Sequence, residues 1–237
     1  MRWNKGLMAA GVAAMVPVGV ALPSGSQSPA PPARFVVVLD AAHGGDDTGG
    51  RLDPDHLEKD FTLAMSVRLR SLLGARGMQV ITTREQDATV DDNRRDEIAN
   101  RANAQACLSL HASASGRGVH LYISSLAPAG GARFTAWRTA QAAWVSRSLA
   151  LAGTLNGDLK QAEIPVIVGR MTLPVLDSMA CPAVAVEIAP QGNDAQGGGL
   201  DNADYQAKVA GALASALLEW RSESGQTGSG QSGARQP

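Results

Sequence analysis

The sequence runs from Phe35-Val36-Val37-Val38-Leu39 directly into Asp40-Ala41-Ala42-His43-Gly44-Gly45. Five apolar residues in succession, three of them valine, describe a strand covered on both faces, as the inner strands of a parallel sheet are. The glycines that follow let backbone come close to a ligand, and His43 stands at that turn. A last run of the same kind, Ala183-Val184-Ala185-Val186-Glu187-Ile188, closes on an acid instead of an imidazole.

Between these two runs, short Val- and Ile-rich stretches alternate with longer segments of helical period. Strands are predicted over residues 34–39, 78–83, 107–110, 119–124, 166–168 and 183–188. Helices are predicted over 58–75, 92–104, 132–152 and 203–220. In the first, Phe61, Met65, Leu69 and Leu72 share a face, and Gly74 and Gly77 mark its exit. Trp137, Ala140 and Trp144 in the third helix and Tyr205, Val209, Leu213 and Trp220 in the last read as core. The alternation predicts an α/β fold of three α/β/α layers around a mostly parallel sheet of about six strands.

The chain has 237 residues, enough for one sizeable domain. A net charge of -1 offers no basic field for nucleic acid, and 4% aromatic content offers no stacking platform for single strands. With 44% hydrophobic and 18% charged residues, the composition is that of an ordinary soluble core. The ends differ. Arg2 and Lys5 precede residues 6–22, which carry no charge, so 1–22 reads as a secretory signal peptide, with an uncleaved membrane anchor as the alternative. Residues 23–33 read as a flexible linker, 34–221 as the folded domain and 222–237 as a disordered Gly/Ser/Gln-rich tail. Export makes a Cys107–Cys181 disulfide one reading if their strands are neighbours; two buried thiols are the other.

In open α/β sheets reactive groups gather beyond the carboxyl ends of strands. His43, His111 and Glu187 each fall near such an end. His111 follows Cys107-Leu108-Ser109-Leu110 and, taken alone, reads equally as a hydrogen-bonded core histidine. Glu58 alone reads as an acid favoured by a helix N-terminus. Glu187 interrupts an apolar run, where an unpaired carboxylate is costly to bury, so it is a candidate functional acid. His56 lies in the polar loop Asp53-Pro54-Asp55-His56 and reads as solvated. His120 alternates with Val119 and Leu121 and reads as decorating one face of a strand. The Gly-rich stretch 43–50 lacks the Lys-Ser/Thr ending of a phosphate loop and carries two aspartates that repel phosphate. No G-x-S-x-G elbow is present for a serine nucleophile.

In order and spacing these blocks resemble the zinc-dependent N-acetylmuramoyl-L-alanine amidases of the cell wall. The resemblance rests on Leu39-Asp40-Ala41-Ala42-His43-Gly44-Gly45 with Asp47 and Gly49, then Glu58-Lys59-Asp60 and Thr83-Arg84 with Asp87. It continues through Arg95 with Ala99-Asn100, Ser109-Leu110-His111-Ala112, residues 118–122, and Pro182 to Glu187. It implies zinc ligands at His43, Glu58 and His111 and a catalytic glutamate at Glu187. It implies peptidoglycan as substrate, with hydrolysis of the amide between N-acetylmuramic acid and L-alanine, in an exported, periplasmic or extracellular, monomeric enzyme. Membrane contact is expected only if the N-terminal segment stays attached, and an activator protein is a partner found in the family. Some members carry a plugging helix, for which residues 127–159 offer room. The chain departs from the family at Ala42 (usually Gly), at Ser113 (commonly Asn) and at Ala189-Pro190 (usually Gly-Phe), though Asn193 matches the Asn that follows. A wall-binding or regulatory protein without turnover, and a zinc peptidase cutting within the stem peptide, are the alternatives.

Overall fold

The computed structural model describes Met1 and residues 34–129, 136–192 and 199–230. The chain divides into Met1–Ala33 and Arg34–Pro237, and the leader and linker expected over 1–22 and 23–33 lie outside the described residues, as does Asn193. No described helix is long and apolar enough to cross a membrane.

Six strands form one sheet: β1 (Val36–Ala41), β2 (Gln79–Thr82), β3 (Ala106–Ala112), β4 (Val119–Ser124), β5 (Val166–Met171) and β6 (Ala183–Ile188), in the spatial order β2-β1-β3-β6-β4-β5. All neighbours run parallel except β4 and β6, which are antiparallel. The helices are α1 (Glu58–Gly74), α2 (Asp92–Arg101), α3 (Val145–Gln161), α4 (Pro174–Ser178) and α5 (Ala203–Gly230).

The two faces of the sheet are unlike. Alternate residues such as Leu39, Leu108, Val186 and Leu121 point to one face, where they pack with Leu69 of α1, Leu155 of α3 and Leu213 of α5. The other face carries Val38, Cys107 and Ala185 against Ala99 of α2 and Leu176 of α4. Period-two alternation continues toward the carboxyl ends, so Asp40, Ser109, His111 and Glu187 fall on this second face. There α4 is only five residues long, and the strand ends emerge beside it. Cys107 and Cys181 are joined by a disulfide, which ties β3 to the segment entering β6.

Two expectations are corrected. The helix expected over 132–152 is instead a 3₁₀ helix, Trp137–Ala143, followed by α3, with a non-helical Thr139 inside the first. The cause is tertiary. Buried Gln141 donates through Nε2 to the carbonyls of Met179 and Cys181 and accepts from Ser148 of α3, which in turn accepts from the Ala183 amide. Those bonds override local helical period, and they leave Trp137 52% exposed instead of in the core. The segment from Val145 onward packs on the face opposite Asp40 and His111, with Leu151 and Leu159 in the apolar core. The second correction is at the carboxyl end, where the helix expected over 203–220 continues as α5 to Gly230. The Ala- and Leu-rich start supplies the costly helical nucleus, no proline stands between Ala203 and Gly230, and each further residue needs only one more bond.

Candidate active site

Asp40 is the root of the arrangement. Its buried carboxylate takes hydrogen bonds from Thr83 Oγ1 (2.8 Å), Arg95 Nη1 (2.7 Å) and Ser109 Oγ (2.7 Å). Arg95, itself buried, also donates to the carbonyls of Ala41 and His43, each at 2.7 Å. Arg84 does the same for the neighbouring backbone, donating to Ala41 O (3.0 Å), Ala42 O (3.1 Å) and Lys59 O (2.6 Å). Arg84 therefore clamps the end of β1 to the start of α1, and Arg95 clamps it to α2.

That clamp fixes an unfavourable backbone. His43 has φ of 63°, in the left-handed region that side chains with a Cβ rarely adopt. The turn is closed by Gly44 N donating to Asp47 O at 2.7 Å. Asp47 Oδ2 lies 2.9 Å from His43 Nδ1, so the ring presents Nε2 inward, 3.2 Å from Glu58 Oε2. Gly49 has φ of 63°, and a Cβ there would stand 2.6 Å from His43 Cδ2 and 2.8 Å from Glu58 Oε2. Only glycine lets this loop pass so close to both groups.

Glu58 is the first residue of α1, and its carboxylate folds back over the helix N-terminus. It accepts from the Gly50 amide at 2.8 Å and the Ala112 amide at 3.2 Å, and its Oε1 lies 3.1 Å from His111 Nδ1. Burial opposes its charge, yet bonds from His111 and His43, with those two amides, hold the carboxyl well below the usual carboxylate range. The bond to Glu58 raises the His43 imidazole against the opposing effect of burial, with Asp47 adding to the rise.

The His43 and His111 rings meet edge to face, 5.5 Å apart. His111 Nε2 lies 3.4 Å from Ser109 Oγ, which gives its own proton to Asp40. With Oγ so committed, it can accept from His111 Nε2–H, the tautomer in which Nδ1 would give up its bond to Glu58 and offer a lone pair to a metal ion. One ligand atom each from His43, Glu58 and His111 falls within 4.8 Å of the others, a grouping able to hold a metal ion. Two imidazoles and one carboxylate, each oriented by an outer hydrogen bond, fit a divalent cation with a position left for water or substrate. A cavity of about 160 Å³ opens on His43 and His111, walled by Leu173, Val175 and Ala185.

Glu187 is the register partner of His111 on the adjacent strand β6, and neighbouring strands lie about 4.8 Å apart. It shares the face of the triad. The expectation of a buried acid is corrected here, since its side chain is 31% exposed. His56 is the loop residue expected, 59% exposed and paired with Asp53. His120 is not the surface decoration expected. Its side chain is 11% exposed, and Nδ1 lies 3.4 Å from Glu187 Oε1. The register that brings the two together, His120 opposite Glu187, comes from the antiparallel β4–β6 pairing, for which the sequence carries no signal.

Comparison with known proteins agrees with this geometry. The family model described as N-acetylmuramoyl-L-alanine amidase matches residues 37–219. An N-acetylmuramoyl-L-alanine amidase of Mycobacterium tuberculosis is 29% identical, over 91% of this chain and 97% of its own. The germination-specific amidase of Bacillus subtilis is 26% identical, over 80% of this chain and 81% of its own. The structure of an amidase from Clostridioides difficile, solved in complex with a lipoprotein, superposes with a TM-score of 0.64 at 23% identity, covering 80% of this chain and 99% of its own. With its sheet order, its His/Glu/His grouping and a match across nearly the whole described domain, the chain belongs to the N-acetylmuramoyl-L-alanine amidase family, hydrolases that degrade peptidoglycan.

Proposed function

We propose that this protein cleaves the amide between the lactyl group of N-acetylmuramic acid and L-alanine of the stem peptide, with zinc held by His43, Glu58 and His111 and Glu187 as general acid/base. One observation carries the reading: two imidazoles and a carboxylate converge beside an open strand end, and an acid stands opposite His111 on the next strand. Bound zinc supplies Lewis acidity, which lowers the pKa of a water and polarises an amide carbonyl.

The protein groups have separate tasks. Asp47 and Ser109 fix the two imidazoles so that Nε2 of His43 and Nδ1 of His111 face Glu58. Glu187 takes a proton from the attacking water as its oxygen bonds to the lactyl carbonyl carbon. It then delivers that proton to the alanine nitrogen as the C–N bond breaks, so the carboxylate is regenerated. A partly exposed carboxylate suits this exchange better than a buried one, since it must reach both water and leaving nitrogen. The two-residue departure Ala189-Pro190 lies beyond Glu187 and bears on the fit of the substrate chain.

Export is proposed with it. The basic start and uncharged residues 6–22 support a signal peptide, and the Cys107–Cys181 bridge suits an oxidising compartment. The test is zinc quantification together with mass analysis of digested peptidoglycan. Wild type releases intact stem peptides beginning at L-alanine, Glu187→Gln retains zinc without releasing them, and His43→Ala loses zinc. Products cut within the stem peptide would favour the peptidase reading, and an intact MurNAc–L-Ala bond would favour a binding protein.

A further inference from the structure

We infer that His120 is a positioning residue for Glu187, donating from Nδ1–H to one carboxylate oxygen so that the other faces the reacting water; the inference rests on the general acid/base reading of Glu187. Glu187 has a histidine opposite it on each side in the sheet, His111 on β3 and His120 on β4. The first belongs to the metal grouping. The second has no place in it, yet it is the more deeply covered of the pair it makes with Glu187, 11% exposed against 31%. Among the described residues, His120 is the side chain that reaches the Glu187 carboxylate, with Nδ1 at 3.4 Å from Oε1.

The surroundings of the ring decide which nitrogen carries the proton. Nε2 is buried and has no hydrogen-bond partner. It faces Gly116, where φ is 94° and a Cβ would stand 2.8 Å from His120 Cε1 and 3.3 Å from Nε2. A proton there would be an orphaned buried N–H, which folded proteins avoid more strictly than an unused lone pair. On Nδ1 the proton has Glu187 Oε1 within reach at 3.4 Å, beside the Tyr122 hydroxyl at 3.5 Å. The single-proton tautomer with Nδ1–H is therefore the one the packing selects.

The ring is also held in place. Tyr122 meets it edge on, with centroids 6.2 Å apart, and its hydroxyl lies 3.5 Å from Nδ1. Tyr122 in turn lies across β5 at Gly169, where a Cβ would come within 3.2 Å of its ring. Gly116 on one side and the Tyr122–Gly169 stack on the other leave His120 little freedom, so its approach to Glu187 is preorganised. A carboxylate held at one oxygen loses torsional freedom and keeps the second oxygen for proton transfer.

The experiment is a double-mutant cycle on the full protein, using purified peptidoglycan fragments with zinc content measured for every variant. His120→Phe keeps the ring volume and removes the donor. Its kcat is expected to fall about tenfold with KM within about twofold and zinc occupancy unchanged, the effect of one lost orienting bond. His120→Asn, whose amide NH₂ stands near the Nδ1 position, is expected to restore most of that loss. In the Glu187→Gln background, His120→Phe is expected to cost nothing further. An equal loss in both backgrounds, an unaltered kcat for His120→Phe, or a loss confined to KM would overturn the inference while leaving Glu187 in its role. Full activity of Glu187→Gln alone would instead overturn the reading of Glu187. Should His120→Phe fold poorly in thermal melts, comparison of His120→Asn with His120→Leu carries the same test, and equal activity of those two would overturn the inference.

Discussion

Around His43, Glu58 and His111 nearly every polar atom is committed to another, whereas Glu187, one strand away, has a histidine at 3.4 Å and a side chain about a third exposed. Each ligand side chain has a second partner: Asp47 for His43, the Gly50 and Ala112 amides for Glu58, and Ser109 for His111. Behind them stand Asp40 and two buried arginines. The contrast fits the roles proposed for the two halves. Ligands must converge on one point within a few tenths of an ångström, which demands an outer shell of fixed partners. A carboxylate proposed to accept a proton in one place and release it in another needs reach, and Glu187 is about a third exposed.

The comparison breaks most severely at Arg95. Its guanidinium neutralises Asp40 and pins the carbonyls of Ala41 and His43. Arg95→Met leaves Asp40 buried without that charge, and a loss of about 3–5 kcal/mol in denaturant unfolding is expected. Zinc binding should fail with it, since His43 then loses the bond that holds its positive φ. A loss below about 1 kcal/mol would mean that Thr83 and Ser109 suffice for Asp40. The next largest effect is read in affinity. Ser109→Ala removes the acceptor for His111 Nε2–H in a position where alanine fits, and zinc should bind about tenfold more weakly in chelator competition. Activity per bound zinc should stay near wild type if the two halves are separable.

Much of the proposed metal half is legible in the sequence. The apolar runs ending at Asp40 and Leu110 placed His43 and His111 at strand ends, and the helical period beginning at Glu58 placed the carboxylate at a helix start. The acid half was less so. A run such as Ala183 to Ile188 shows that a strand is covered for most of its length and says nothing about where the covering helix stops. Glu187 is more exposed than its neighbours suggest. His120 obeyed simple alternation, and what gives it meaning is the antiparallel partner, a long-range choice that leaves no local mark. The break between the 3₁₀ helix and α3 was hidden for the same reason, because Gln141 is bonded to carbonyls some 40 residues away.

Beneath both halves, Asp96 of α2 gives a pH test. One of its carboxyl oxygens is buried without a partner. Burial, opposed by a bond from Ser178 and aided by the charges of Asp92 and Asp40, pushes its pKa up to about 7 from 3.8. The folded value lies above the unfolded one, so its contribution to stability is full below the unfolded pKa and is lost as pH rises through about 7. Wild type should therefore be less stable at pH 8 than at pH 5 by an amount on the order of 1 kcal/mol from this group. Asp96→Asn should flatten that difference in urea titrations at the two pH values. A slope unaltered in the variant would assign it elsewhere. Zinc affinity serves as the control, and no change is expected.

The smallest effect probes the acid half directly. Ala189 lies two residues beyond Glu187, where the family usually has Gly-Phe in place of Ala189-Pro190. Here the chain is held by its backbone, with Ala189 N donating to Gly118 O at 2.8 Å and Gly118 N donating to Pro190 O at 2.9 Å. The buried Tyr205 hydroxyl adds a bond to Ala189 O at 2.8 Å, and burial pushes that phenol up to about 12, so it stays a donor throughout the neutral range. Tyr205→Phe removes one neutral hydrogen bond and strands the carbonyl, at a cost of about 1 kcal/mol in stability. Its zinc affinity should match wild type, unlike that of Ser109→Ala, while kcat should fall less than twofold because Glu187 keeps its strand and its histidine. A drop in zinc affinity for Tyr205→Phe would show slack passing from β6 into His111 through their shared register, and the two halves would then be one mechanical unit.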